Sequence, residues 1–446
     1  MTTSRRTRIL CAAGAILLLT GAAGNVSAAG FALIEQNVNG LGNAYAGSAA
    51  TAEDASTVFY NPAGLTLLSG TQLMFGGHVI RPYAKFNDQG STDVTGAPLR
   101  GGSGGNAGEL AFVPNLYISR ALSERVSVGL GINVPFGLTT DYDPDWQGRY
   151  QGITSELMTV NINPALAFKM NEAFSVGVGV NLQYIEAKLS NAIDFGAICF
   201  GTLGPAPCID IGLTPQNADG FVKIEGDDWS WGYNVGLLFQ PRAGTRIGLA
   251  YRSRIKHELS GEADFRGVPA ALTAGGTMFV DTGASAALTL PETVSLSGYR
   301  ELSSRWTIMG DITWTRWSRF KELRIEFDSA QPDSVTEEDW DDTLRYSLGV
   351  NYAYNDRWTW RAGIAFDETP IPNASRRTPR IPDADRWWLA LGFSYRHRND
   401  LSFDLGYAHL FLPDANIDHV GSTGDRLVGE YDLKADTVSV QMVWQF

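Results

Sequence analysis

Hydrophobic and polar positions alternate with a period of two through most of the chain. Phe174, Val176, Val178, Val180, Leu182 and Tyr184 alternate with Ser175, Gly177, Gly179, Asn181 and Gln183. Val126, Val128, Leu130, Ile132 and Val134 alternate with Ser127, Gly129, Gly131 and Asn133, and a third run extends from Trp387 to Tyr395. Such alternation places successive side chains on opposite faces of a β-strand. A soluble sandwich would show charge on its outward face. Here the face opposite the apolar one is small and uncharged, which suits a membrane barrel with lipid outside and a crowded lumen inside.

Short polar turns punctuate the strands at Ser123-Glu124-Arg125, Asn171-Glu172, Pro241-Arg242-Ala243-Gly244, Ser303-Ser304, Asn355-Asp356 and Arg398-Asn399-Asp400. Longer stretches rich in Gly, Asp and Pro lie between them, at 88–108, 191–220, 267–283 and 413–425. Short turns on one side and long loops on the other are the habit of bacterial outer-membrane barrels. Six hairpins, plus one strand before the first and one after the last, predict fourteen strands. The chain ends Val438, Val440, Met442, Trp444, Phe446 at every second position, the form of a closing barrel strand. Trp229/Trp231, Trp314/Trp317 and Trp358/Trp360 fall near predicted strand ends, as in aromatic girdles.

Two segments break the pattern. Residues 29–70 are poor in strand formers and run Gly40-Leu41-Gly42-Asn43-Ala44-Tyr45-Ala46-Gly47, then small residues to Ala55. A barrel of about fourteen strands encloses space that needs filling, so this stretch reads as a small helical hatch inside the lumen. The other is Pro135-Phe136-Gly137, inside the predicted third strand 126–140. Proline donates no ladder hydrogen bond and glycine weakens a strand, so the wall is expected to open there as a lateral gate. The competing reading is a strand that simply ends at Pro135.

The first 28 residues read as an export signal: Arg5, Arg6 and Arg8, an apolar stretch from Ile9 to Thr20, and Val26-Ser27-Ala28 before the expected cleavage. Cys11 would leave with it. No later segment approaches the roughly 18 apolar residues of a membrane-spanning helix, so a membrane location demands a closed barrel. The fold expected is all-β, a 14-stranded antiparallel transmembrane barrel (71–446) with an N-terminal hatch (29–70), in the cell outer membrane among its lipid and lipopolysaccharide.

Charge and chemistry narrow this. Removing three arginines from 35 basic residues leaves 32 against 48 acids, a net charge of −16. That excludes nucleic acid as a main partner. Cys199 and Cys208 stand nine positions apart in a Gly/Pro-rich stretch, a disulfide pattern for an oxidising compartment. Gly101-Gly102-Ser103-Gly104-Gly105 lacks the strand–turn–helix context of a nucleophile elbow. The five histidines are dispersed, and Asp141, Asp143 and Asp145 lack the glycine of a calcium loop. No catalytic set, cofactor motif or metal site is expected.

The chain resembles the FadL/TodX (OMPP1) family of outer-membrane transporters of long-chain fatty acids and hydrophobic compounds. Ala29-Gly30-Phe31, the glycine-rich run 40–47 and Asn61-Pro62-Ala63, the family's hatch motif, carry the likeness. Val113-Pro114-Asn115, Tyr251-Arg252-Ser253, Leu290-Pro291-Glu292, Ser297-Gly298-Tyr299 and Ile381-Pro382-Asp383-Ala384-Asp385-Arg386 follow in the same order. The resemblance implies a monomeric barrel, capture of a hydrophobic ligand between external loops, a lumen site, and lateral exit at the third strand. The fatty-acid members place basic side chains near the bound carboxylate. Two such positions align with Asn191 and Thr336, neither basic. Lys188, Arg252, Arg324 and Arg345 are the candidates to supply a cation, unless they pair with acids such as Glu186, Asp311 or Glu292. The departure keeps open an uncharged ligand such as a monoaromatic hydrocarbon. A lipid-modifying enzyme would need a Ser/His/acid set not seen here, and a general porin would need no hatch.

Overall fold

The computed structural model describes residues 30–273 and 277–446. The expected signal segment 1–28, Cys11 and Ala29 lie outside them. Fourteen antiparallel strands close into a barrel. They are β1 (Thr71–Asp88), β2 (Ala111–Ala121), β3 (Val126–Asn133 and Gly137–Asp141), β4 (Thr154–Lys169), β5 (Phe174–Asp194), β6 (Asp219–Arg242) and β7 (Thr245–Arg252 and Ile255–Arg266). The circuit continues through β8 (Thr282–Leu290 and Thr293–Glu301), β9 (Trp306–Thr315), β10 (Thr343–Ala353), β11 (Trp358–Asp367), β12 (Arg386–Arg398), β13 (Leu401–Phe411) and β14 (Arg426–Gln445). β14 pairs with β1 from Gln72↔Gln445 to Asp88↔Gly429, so no sheet edge remains. All six short turns fall between these strands on the side where the chain's last residue bonds Thr71.

The alternation is realised as read. Val178, Val180 and Leu182 of β5 are exposed outward, whereas Gly179, Asn181 and Gln183 are buried inward. Trp229, Trp231, Trp306, Trp360, Trp387 and Trp444 are exposed on the outer face. Trp317 is a correction to the girdle reading. It follows the end of β9 in a short 3-10 turn (Trp317–Arg319) and is 1% exposed, because the turn carries it inward over the barrel.

Residues 30–70 lie inside the barrel as three one-turn helices, α1 (Val38–Leu41), α2 (Ser48–Thr51) and α3 (Thr57–Tyr60), followed by a 3-10 turn (Pro62–Leu67). Helices this short have little intrinsic stability, and the wall holds them. Asn61 accepts from Ala63 N–H and donates to Ala49 O at 2.7 Å and to Leu237 O of β6 at 3.0 Å. Ser297 accepts from Ala49 N–H, and Gln441 from Val38 N–H. The small inward face of the wall now has its reason. A Cβ at Gly236 would stand 1.8 Å from Asn61 Oδ1, and one at Gly248 would stand 1.9 Å from Ala49 O. The hatch sits directly on these glycines, through the Asn61 side chain at Gly236 and through backbone at Gly248.

On the opposite side the loops fold over the barrel top. One carries two helices (Phe195–Leu203 and Pro205–Asp210) joined by a Cys199–Cys208 disulfide. Another carries a hairpin (Glu322–Phe327 and Ser334–Glu337).

Candidate functional site

The wall is interrupted beside β3. Its pairing with β2 runs from Ala121↔Ser127 to Leu116↔Ile132 and then stops. It resumes only at an isolated bridge, Gly108↔Thr140, with Asp141 N–H donating to Ala107 O at 3.0 Å. Between these points Ala111–Asn115 pairs with β1 and Gly137–Thr139 with β4, and neither pairs with the other. Pro135, with no N–H, sits at the centre of the break.

The exposed inner edge is satisfied by the first residues of the hatch. Leu33 N–H donates to Pro135 O at 2.9 Å, Gly137 N–H donates to Phe31 O at 3.0 Å, and Gln36 Nε2 donates to Val134 O at 2.8 Å. A cavity of about 470 Å³ crosses the wall here. Leu33, Leu138 and Leu157 line its inner part, and Phe112 and Met158, 64% and 47% exposed, mark its lipid side.

Phe31 anchors that segment. Its ring lies 4.9 Å from Trp317, 5.8 Å from Trp340, and 6.0 Å from both Phe320 and Phe136. Gly30 N–H donates to Asp383 Oδ2 at 3.0 Å. Phe31 therefore joins the loops above to the wall gap beside it.

Above Phe31 is a chamber of about 100 Å³, walled by Leu157, Leu189, Leu259, Leu288 and Leu323, with Glu156, Glu225, Glu338 and Arg380 as the charged-type groups of its lining. Arg380 is half-buried and, among the described residues, donates only to neutral oxygens: Ser155 Oγ and Asn191 Oδ1 at 3.0 Å, and more distantly the carbonyls of Thr154 and Ser190. Burial lowers its guanidinium to about 10, which leaves it charged at neutral pH. Glu338 accepts from Trp340 Nε1 at 3.0 Å. Burial pushes its carboxyl up to about 8, against the lowering effects of the Trp340 bond and of Arg380.

The basic candidates separate. Arg252 and Arg345 line a mid-lumen cavity of about 260 Å³ that touches Pro135 and Phe136. Lys188 does not reach the lumen. It has the outward parity on β5 and pairs with Glu156 at 3.2 Å. Arg324 does not either, since it lies on the external hairpin between Glu322 and Asp333, at 2.7 and 2.8 Å. Arg380 was missed because a loop arginine gives no periodic sign of where it points, yet its side chain bonds Asn191, the aligned position without a cation.

The lumen's periplasmic end differs. A cavity of about 660 Å³ there is lined by Arg305, Arg357, Arg398, Asp356 and Asp400. The hatch closes it, tied by Glu53 to Arg361 at 2.7 Å.

The chain matches the family model described as outer membrane protein transport protein (OMPP1/FadL/TodX) over residues 19–446. It is 32% identical over 400 residues to the long-chain fatty acid transport protein of Escherichia coli strain K12, covering 86% of this chain and 87% of that one. It is 31% identical over 426 residues to outer membrane protein P1 of Haemophilus influenzae strain Rd, covering 91% of each. The crystal structure of a Pseudomonas aeruginosa FadL homologue superposes with a TM-score of 0.87 at 27% identity, covering 94% of this chain and 100% of that one. The Ralstonia pickettii toluene transporter TbuX shares the fold at 18% identity, with a TM-score of 0.66 over 93% of this chain and all of that one.

Proposed function

Because the chain belongs to the OMPP1/FadL/TodX family, outer-membrane transporters of hydrophobic compounds and not enzymes, we propose that it takes up long-chain fatty acids passively and releases them sideways into the outer membrane through the gap beside Pro135. The observation that carries this reading is the gap itself, an apolar cavity crossing the wall with its backbone edge held by a separable segment. A water-filled pore does little for an acyl chain, whose exposure costs about 0.8 kcal/mol per methylene. A passage from an apolar chamber to the lipid face avoids most of that cost.

The route has three parts. The ligand enters the upper chamber with its carboxylate at Arg380. It displaces Phe31 from the ring cluster, which draws Phe31 and Leu33 off the β3 edge. The tail then passes between β2 and β3. A concentration gradient suffices, provided the cell consumes the product. The same route would serve a monoaromatic hydrocarbon, but the Arg380 guanidinium, which donates to neutral oxygens in the chamber lining, favours an anionic head group. The hatch around Asn61-Pro62-Ala63 acts as the seal below.

Uptake of labelled oleate and labelled toluene by cells with and without the protein tests this. A clear gain for oleate is expected. No gain for either compound would end the transport reading, and a gain for toluene alone would move it to the uncharged ligand.

A further inference from the structure

The outward face of the strand pair that closes the barrel carries cations without partners. Phe75 and Val79 of β1 and Trp444, Val440 and Val438 of β14 point outward and are exposed. Beyond them, toward the external side, Arg81 and Lys85 of β1 and Lys434 of β14 point outward and are also exposed. They stand at the external edge of the apolar band, where the head groups of the outer leaflet begin. Lys434 lies opposite Tyr83, which makes it the diagonal neighbour of both Arg81 and Lys85. Such neighbours are about 7–8 Å apart, within reach of long side chains that converge on one group.

Elsewhere the chain pairs its lysines. Lys169, Lys188, Lys223, Lys256 and Lys321 each lie within 4.0 Å of a carboxylate. The remaining two of the seven, Lys85 and Lys434, make no ion pair among the described residues, and neither does Arg81. Two carboxylates lie opposite them in register, Asp436 across from Arg81 and Asp432 across from Lys85. Asp436 is engaged by Tyr407 OH at 2.7 Å and by His409 Nδ1 at 2.8 Å. The patch is therefore three cations against two carboxylates. Lys434 Nζ stands 4.3 Å from the centroid of the Tyr83 ring, a contact that holds the ammonium at the lipid face. Lys434 and Tyr83 also line the cavity that crosses the wall, so the patch borders the gap.

We propose that Arg81, Lys85 and Lys434 bind a phosphorylated glycolipid of the outer leaflet, the lipid A part of lipopolysaccharide. Its phosphate accepts from Lys434 Nζ and is flanked by the other two cations. Ammonium and guanidinium groups are strong partners for phosphate, and the anion's charge offsets the excess on the patch. The position favours a lipid over a free anion, since the acyl chains can run down along Val79, Val438 and Phe112, all exposed to lipid. On the uptake route above, this glycolipid is the first lipid that the ligand meets. The site itself does not depend on that route.

The test is lipid binding to the full barrel in detergent, counted by native mass spectrometry. EDTA is present, so that no divalent ion bridges phosphate to the nearby acids. The probes are lipid A with both phosphates, the same lipid with its phosphates removed, and phosphatidylglycerol. Wild type should hold one phosphorylated lipid A and bind the dephosphorylated form at least about tenfold more weakly. Lys85→Gln/Lys434→Gln should lose a similar factor, as expected for two cations acting on an anionic lipid surface. Lys223→Gln/Lys256→Gln lowers the charge equally, at lysines that are already ion-paired, and should change nothing. Heat-modifiable migration checks that each variant is a folded barrel. Equal affinity for lipid A with and without phosphate, equal affinity for phosphatidylglycerol, or equal loss in the two double variants would each overturn the site. None of these outcomes bears on uptake, which is measured with oleate.

Discussion

The proposed side exit and the periplasmic end of the lumen are built from opposite chemistry. Beside Pro135 the wall is apolar and its free edge is closed by a few backbone hydrogen bonds from residues 31–36. At the periplasmic end the lining is arginine and aspartate, and the closure is the whole hatch, seated on glycines and held by Glu53–Arg361 and Asn61. A long acyl chain meets the first as a continuation of lipid and the second as water. At about 0.8 kcal/mol per methylene, the difference grows with chain length until it decides the route. On the proposed route, the body of the hatch acts as the seal and its first residues, 31–36, act as the valve.

The largest expected effect comes from closing the side route. Gly137 lines the gap, and a Cβ there meets the Leu33 side chain at 3.0 Å and Leu157 O at 3.7 Å. Gly137→Arg should reduce oleate uptake to the level of cells lacking the protein. Heat-modifiable migration on gels should remain that of a folded barrel. Normal uptake in this variant would move the exit elsewhere.

Next is the valve. Phe31→Ala removes a buried aromatic, a change that costs about 3–5 kcal/mol in a packed core. That exceeds what two backbone hydrogen bonds and one from the Gln36 side chain are expected to hold. The segment should leave the β3 edge, and entry of a small apolar dye should rise severalfold. Unchanged dye entry would mean that the wall bonds alone keep the segment in place.

A smaller effect is expected at the mouth. Glu53→Gln leaves Arg361 buried without its hydrogen-bonded carboxylate, a loss of about 3 kcal/mol. Vancomycin sensitivity should increase while oleate uptake stays constant. If both change together, the two openings are not independent.

How much of this was legible in the sequence depended on distance along the chain. Strand number, turns and inward glycines follow from local alternation, and Pro135 to Gly137 announced the gap because proline acts where it stands. Parity along β5, read strictly, would also have turned Lys188 outward. Phe31 and Arg380 gave no such sign. Gly30 bonds Asp383 across 353 positions, and Arg380 bonds Asn191 across 189. Only closure of the barrel brings those loops over the lumen. Trp317 differed from Trp314 for a related reason, since a 3-10 turn after the strand reset its direction.

The smallest expected effect concerns the entrance to the apolar side, where Glu338 shares the upper chamber's lining with Arg380, while the chamber's other two glutamates, Glu156 and Glu225, are paired with Lys188 and Lys223. Its ordinary value is 4.5 and its folded value about 8, raised by burial. Between these values the folded chain holds a proton that the unfolded chain releases. The contribution to stability is therefore full below about pH 4.5 and lost as pH rises through 8. Function follows the same proton. While Glu338 is neutral, Arg380 is free for a ligand carboxylate. Once it ionises, it becomes the ligand's competitor for the guanidinium and repels the incoming charge. Dodecanoate affinity measured by titration should fall from about pH 7 to about pH 9, while that of dodecanol should not. Glu338→Gln should flatten the profile, since the amide does not titrate. A wild-type profile already flat, or a slope that survives in Glu338→Gln, would place the controlling charge outside the chamber. The ion pairs of the polar mouth would then be the next candidates, and the separation of the two regions would fail on its electrostatic side.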